Sequence, residues 1–386
     1  MPTCENTPVS SLSLLPYNGI LSTEMASHLL RRTMFGPTQN QINQILSSSV
    51  DQAVESLLQI VSPDDPVTWH PDEAIGAQGL PWVNEFLPSD LVLKDETNDA
   101  RKASMYTWLV KRMNQEQQTP PSITEKMCFF WHNHFAVSRS TDDRINYGYH
   151  RLLEAHALGN FQTFVEEITI NPSMMLFLDT ARNTKWSPNE NYARELLELF
   201  TVGKGPQIGP GDYSNYTEED IAAGARILTG WKVRENESSI AHPYSEFDAS
   251  HHDVGSKTLS YHFNGASLSN ADDLEYKDFI NLIFQKEETA LHISRKIYTF
   301  FVNSDITAEI EDEIISGMAQ TLLDNNYEVR PVLAELLKSE HFYDVANIGA
   351  HIKSPFEFIF SILNTTLTMP NNGIEGDNLL WGKLYS

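Results

Sequence analysis

The chain has 386 residues, of which 41% are apolar and 20% charged, and its 27 basic and 52 acidic side chains give a formal charge of −25. That is enough apolar material for a sizeable core, and the length predicts one large domain or two intimately packed ones. So acidic a surface repels phosphate backbones and anionic lipid, which excludes nucleic acid as an expected partner.

Two cysteines, Cys4 and Cys128, lie far apart in the sequence. Their number excludes a disulfide framework, a cysteine-rich zinc site and a C-x-x-C-H heme attachment. No apolar run is long enough for a membrane span. Residues 1–22 read as a flexible N-terminal tail without the basic start and apolar centre of a secretory signal. The location expected from this alone is cytoplasmic.

In chain order, the apolar periodicity predicts helices at Thr23–Thr33 and Gln39–Ile60. Residues 62–98 carry Pro, Asp and Trp without period and read as a long non-helical excursion. Helices are then predicted at Ala100–Gln115, Ser122–Phe135, Ile145–Leu158 and Phe161–Ile170. The run from Ser187 to Gly205 reads as a capped helix, with Ser187 as N-cap, Pro188 at the first helical position and Glu190 as capping-box partner. A Gly/Pro loop follows, then a second cap at Thr217 and a helix through IAAGARILTGW. Residues 232–268 form a second excursion, where KTLSYHF predicts a small β-hairpin. Five further helical patterns run from LEYKDFINLIF to SPFEFIFSILNTTL. No repeat period emerges, which disfavours a solenoid. The fold class predicted is mainly α: one irregular multi-helix globular domain over residues 23–386, with two non-helical excursions.

Three groups of residues carry candidate chemistry. His132 and His134 in FFWHNHF can reach one metal ion only if the helix ends before them, because helical residues two apart point about 200° away from each other. Otherwise they are core and helix-end histidines. His251, His252 and Asp253 in a loop can ligate a metal, form an oriented general base, or sit in a solvated surface. On the Ser187–Gly205 helix, Glu190 and Arg194 are an i,i+4 pair that can continue to Glu198. Asn191, Glu195 and Glu198 share a face, which is either a salt-laced surface or the lining of a site. The P-loop, the Rossmann glycine fingerprint and the G-x-S-x-G elbow are all absent, so neither a nucleotide cofactor nor an α/β-hydrolase is expected.

Six ordered blocks resemble a known family: HLLRRTMFGPT from His28, KMCFFWHNHFAVS from Lys126, NENYARELLELFTVG from Asn189, YTEEDIAAGARILTGW from Tyr216, HDVGSKTL from His252 and IKSPFEFIFSIL from Ile352. They are similar to the bacterial family of domain of unknown function 1800. The resemblance implies that His132, His134, Asn189, Glu190, Asn191, Arg194, Glu195, His252 and Asp253 are family landmarks. It also implies a protein partner, export in many relatives, and a Pro- and Gly-Trp-rich segment beyond the last block that this sequence lacks.

Two functions are expected. In the first, a metal-assisted hydrolase or transferase, His132, His134, His252 and Asp253 hold a divalent ion. Glu190 or Glu195 acts there as ligand or base, and Arg194 clamps an anion. In the second, a non-catalytic scaffold or binding protein acts with a partner, the same residues form a structural network, and Trp69 to Trp82 is the partner surface.

Overall fold

The computed structural model describes residues 10–114, 120–235 and 239–366. Side-chain caps start many of its helices. Ser22 accepts from the Met25 amide to open α1 (Thr23–Thr33), and capping boxes open α2 (Gln39–Ile45, Thr38 with Gln41) and α3 (Val50–Leu57, Ser49 with Gln52). The single helix predicted over Gln39–Ile60 is therefore two. Its interior Ser47–Ser48–Ser49 run supplies a new cap, and serine side chains compete with the helix backbone.

The first excursion also ends earlier than predicted. Helix α4 (Leu91–Met113) begins inside the 62–98 segment, where Asp90 caps the amides of Val92 and Leu93. Its first buried residue is Thr97, so the opening turns carry no apolar stripe by which to recognise them. Within the excursion Trp82 is 1% exposed, donates to Ser104 Oγ at 2.9 Å and packs with Val83, Met105 and Trp108. The Trp69–Trp82 stretch thus spends its second tryptophan on core, because an indole buried this fully is an anchor of the fold.

Then follow α5 (Thr124–His134), α6 (Asp143–Ala155), α7 (Phe161–Thr169), the unforeseen α8 (Pro172–Phe177) and α9 (Asn191–Glu195), which runs into a π-helical turn over Leu196–Phe200. Ser187 does not cap α9. Its amide closes a turn onto Thr184 O at 2.9 Å, and Asn189 Oδ1 accepts from the Asn191 amide at 2.9 Å instead. With Ser187 and Pro188 held in that turn, the helix begins after Glu190.

The Gly/Pro loop contains a short hairpin, β1 (Gln207–Gly209) with β2 (Asp212–Tyr213). Helix α10 (Glu218–Ile227) has the capping box of Thr217 with Asp220. The second excursion holds two antiparallel pairs, β3 (Trp231–Arg234) with β4 (Tyr244–Phe247) and β5 (Lys257–Thr258) with β6 (Ser267–Leu268). Helices then resume as α11 (Glu275–Phe284), α12 (Glu287–Phe301), α13 (Ala308–Ile310), α14 (Ser316–Asp324), α15 (Val329–Lys338) and α16 (Pro355–Thr366). The fold is mainly α, and no described helix is long and apolar enough to cross a membrane.

One continuous core runs from Leu21 to Tyr343. Its aromatic centre brings Trp131 against Phe161 at 5.6 Å, and Phe135 against Phe164 at 4.8 Å and Phe200 at 5.1 Å. Each such side chain contributes about 1.5–3 kcal/mol by leaving water. This centre ties α5, α7 and the π-helical turn together. The tail reading applied to all of residues 1–22, but from Ser10 onward the chain is tied down. The amides of Ser10 and Ser11 donate to Asp344 at 2.8 and 2.7 Å, and Tyr17 N donates to Lys338 O at 2.8 Å. Those bonds seat the segment against residues 338–344.

Candidate functional site

Helix α5 remains helical through His134, so its two histidines diverge. The ring of His132 lies towards α6, with Nδ1 3.1 Å from Tyr149 Oη and its face stacked on His150 at 5.8 Å. His134 lies towards the π-helical turn, with Nε2 3.1 Å from Phe200 O. Burial lowers the pKa of His132, and burial together with His292 and Lys296 pushes that of His134 down to about 3. His150 falls to about 3 by burial and by its neighbours His132 and Arg112. All three rings are neutral at physiological pH.

His252 is elsewhere, with no exposed surface. Its Nδ1 lies 2.8 Å from Thr229 O, and its Nε2 lies 2.8 Å from Glu275 Oε2. Lys257 Nζ donates to both oxygens of Glu275, at 2.9 and 2.7 Å, and also to Asp253 O. Both ring nitrogens of His252 face acceptor oxygens, so neither has a lone pair directed at open space. Asp253 is held by Arg226, with Nε at 2.7 Å and Nη2 at 3.2 Å, and that bonding keeps its pKa below the usual carboxylate range. The cluster joins the β3–β4 pair, α10, β5 and the first turn of α11.

A third network lies on α9. Arg194 forks onto Glu218 at 3.0 and 2.8 Å and reaches Glu190 at 3.1 Å. The expected continuation to Glu198 does not form, because Glu198 pairs with Lys204 at 2.8 Å and accepts from Tyr216 Oη at 3.1 Å. Glu195 has no hydrogen-bond partner among the described residues, and burial, with Glu198 nearby, raises its pKa.

The predicted set is therefore divided among four places. His132 contacts α6, His134 contacts the end of the π-helical turn, and His252 with Asp253 closes a loop over α10 and α11. Glu190 and Arg194 bind each other and Glu218. Among the described residues no three His, Cys, Asp or Glu side chains gather to hold a metal ion, so the donor set does not fit the single divalent ion expected.

Sequence reasoning missed the residues that complete these networks. Glu275 lies 23 positions beyond His252, and no spacing rule connects a loop histidine to a carboxylate on the next helix. Lys257 and Arg226 stand inside the quoted family blocks, which was the available signal.

A cavity of about 460 Å³ lies between α4, α5, α6 and Phe356 of α16. Its walls are mostly apolar, and His132, His150 and Tyr149 form one polar edge. Under another edge lies a buried ion cluster, in which Arg112 Nε meets Glu125 at 2.8 Å and Nη2 meets Glu154 at 2.9 Å. The guanidinium lies over the Trp108 ring at 4.3 Å. Cys128 also lines this cavity, but burial, with the Glu125 charge beside it, pushes its thiol well above the ordinary range. A thiol so held is no nucleophile.

No curated protein and no solved structure matches this chain. A family match covers residues 28–380, a span that includes all three polar networks and the cavity. By that match the chain belongs to the family described as Protein of unknown function (DUF1800).

Proposed function

We propose that the protein is a non-catalytic binding scaffold that acts with a protein partner, and that its shared polar residues hold helices in register. The observation that carries this reading is the closed bonding of His252. Both of its ring nitrogens are engaged, its carboxylate partner is held by Lys257, and the trio is sealed from water. A metal-assisted hydrolase requires open coordination positions and a reachable water. His252 offers neither, and His132 and His134 lie on diverging faces of α5.

Elemental analysis of the purified protein tests the reading, compared with a His132→Ala/His252→Ala double variant. The scaffold predicts no stoichiometric metal in the parent chain and a lowered Tm in the variant. About one equivalent of a divalent metal in the parent, lost in a variant that still folds, overturns the scaffold and restores the hydrolase.

A further inference from the structure

Two clefts of about 630 Å³ each adjoin at His351, which lines both. One opens between the end of α5 and α12, with Lys296 and Arg295 in its wall. The other opens between α1 and residues 348–353, with Arg31, Arg32 and Lys353 in its wall. Among the described residues the only carboxylate lining either cleft is that of Glu24, and buried Glu357 pairs with His351 at 3.8 Å from behind the junction. In a chain with 52 acidic and 27 basic residues this is a local inversion of charge.

Arg295 is neutralised by Glu288 and Glu311, each at 2.6 Å. The other four cations have no carboxylate within ion-pair distance among the described residues. Arg32 is the most telling, at 6% exposed. Its guanidinium bonds to main-chain carbonyls at the C-terminal end of α12, with Nε to Phe301 O at 2.6 Å and Nη2 to Val302 O at 2.8 Å. Those dipoles steady the charge without cancelling it. Burial lowers its pKa to about 10 against the pull of the Glu357 charge, and the Lys353 pKa is lowered by burial and by Arg31 and Arg32, with Glu357 again opposing. Arg31 and Lys353 stand partly in water beside buried Arg32, so their positive field is open to a bound anion.

We propose that the clefts on either side of His351 bind a small organic anion with at least two carboxylate or phosphoryl groups. One group would lie against Arg31, Arg32 and Lys353, and the other against Lys296. Apolar walls at Phe300 and Leu199 in one cleft, and at Ile352 and Phe358 in the other, suit a carbon body between the charged ends. Beyond a Debye length of about 8 Å the cleft cations are screened, so the far charges of a longer polyanion gain little from them. This site is separate from the His252 network, so it stands or falls independently of the scaffold reading.

Isothermal titration of the full chain with citrate, and separately with pyrophosphate, tests the proposal at about 50 and about 300 mM NaCl. The expected result is saturable binding of at least one of them, weaker at the higher salt. Binding should fall about tenfold or more in Arg31→Gln/Lys353→Gln and in Lys296→Gln, with Tm unchanged. The distant Arg182→Gln should bind as the parent does. Preference for one probe identifies carboxylate or phosphoryl recognition. Absence of saturable binding by both, or equal binding by the parent and the three cleft substitutions, overturns the proposal.

Discussion

His252, Lys257 and Glu275 all have 0% exposed surface, and Glu275 joins the other two. Removing one member leaves the rest charged or polar where water cannot reach them. Deleting a partner from such a buried pair costs about 3–5 kcal/mol. Glu275→Gln keeps the size but takes away the charge facing Lys257. Urea unfolding should therefore show a loss of about that size, ~3–5 kcal/mol; a loss below about 1 kcal/mol would mean that the trio is hydrated after all. Cys128 poses the opposite case, a reactive group that its surroundings silence. With its thiol pushed up by burial, iodoacetamide should leave Cys128 unlabelled in the folded chain and label it rapidly in urea. Labelling at the rate of a free thiol under native conditions would place it at the surface.

Among the elements, α9 and its π-helical turn carry most of the quoted NENYARELLELFTVG block, yet their polar side contributes little stability. Arg194 is 33% exposed on the side chain and Glu218 39%, and ion pairs so placed contribute about 1 kcal/mol or less. Arg194→Ala should therefore leave a folded protein, destabilised by no more than about 1 kcal/mol. Gly203 is the stricter position. It has φ +73°, and an added Cβ would lie 2.7 Å from His292 Nδ1, whose ring donates through Nε2 to Leu199 O at 3.1 Å. Gly203→Ala thus combines left-handed strain of about 1–2 kcal/mol with displacement of the His292 ring. It should destabilise the chain more than Arg194→Ala does, and thermal melts of the two variants compare them directly.

Helices with a buried stripe and a cap were legible in the sequence, as in α1 and α10. The opening of α4 was not, because Leu91 to Glu96 bury no side chain. The π-helical turn was also illegible, since LLELF has the same apolar spacing whether it closes an α or a π turn. Candidate site residues were identifiable by type, as Asn189, Arg194 and His252 illustrate. Their grouping was not, because it depends on which helices meet. His252 finds Glu275 rather than His132 only after the β3–β4 pair turns the loop over α11.

At the scale of the whole molecule, burial has left several histidines neutral. His28 and His292 are lowered to about 4, and His134 and His150 to about 3, with burial the leading cause in each. In the unfolded chain these rings take up protons near pH 6.5, about their ordinary pKa. The unfolded state therefore binds more protons as pH falls below that value, and the histidine contribution to stability, full above about pH 6.5, is lost as pH falls towards 4. Carboxylates work in both directions. Glu357 and Asp253 have lowered pKa values, so their contribution is lost only at still lower pH. Buried Glu125 and Asp143 have raised values and gain protons in the folded state first, which opposes the histidines as pH falls. Net stability sums these opposing contributions, so the rings themselves are the better readout. Imidazole carbon resonances of His28, His134, His150 and His292 should show no titration between about pH 8 and pH 5. A midpoint near pH 6.5 for His134 or His150 would mean that water reaches the cavity edge or the cleft they line, and that these rings are available as acids and bases.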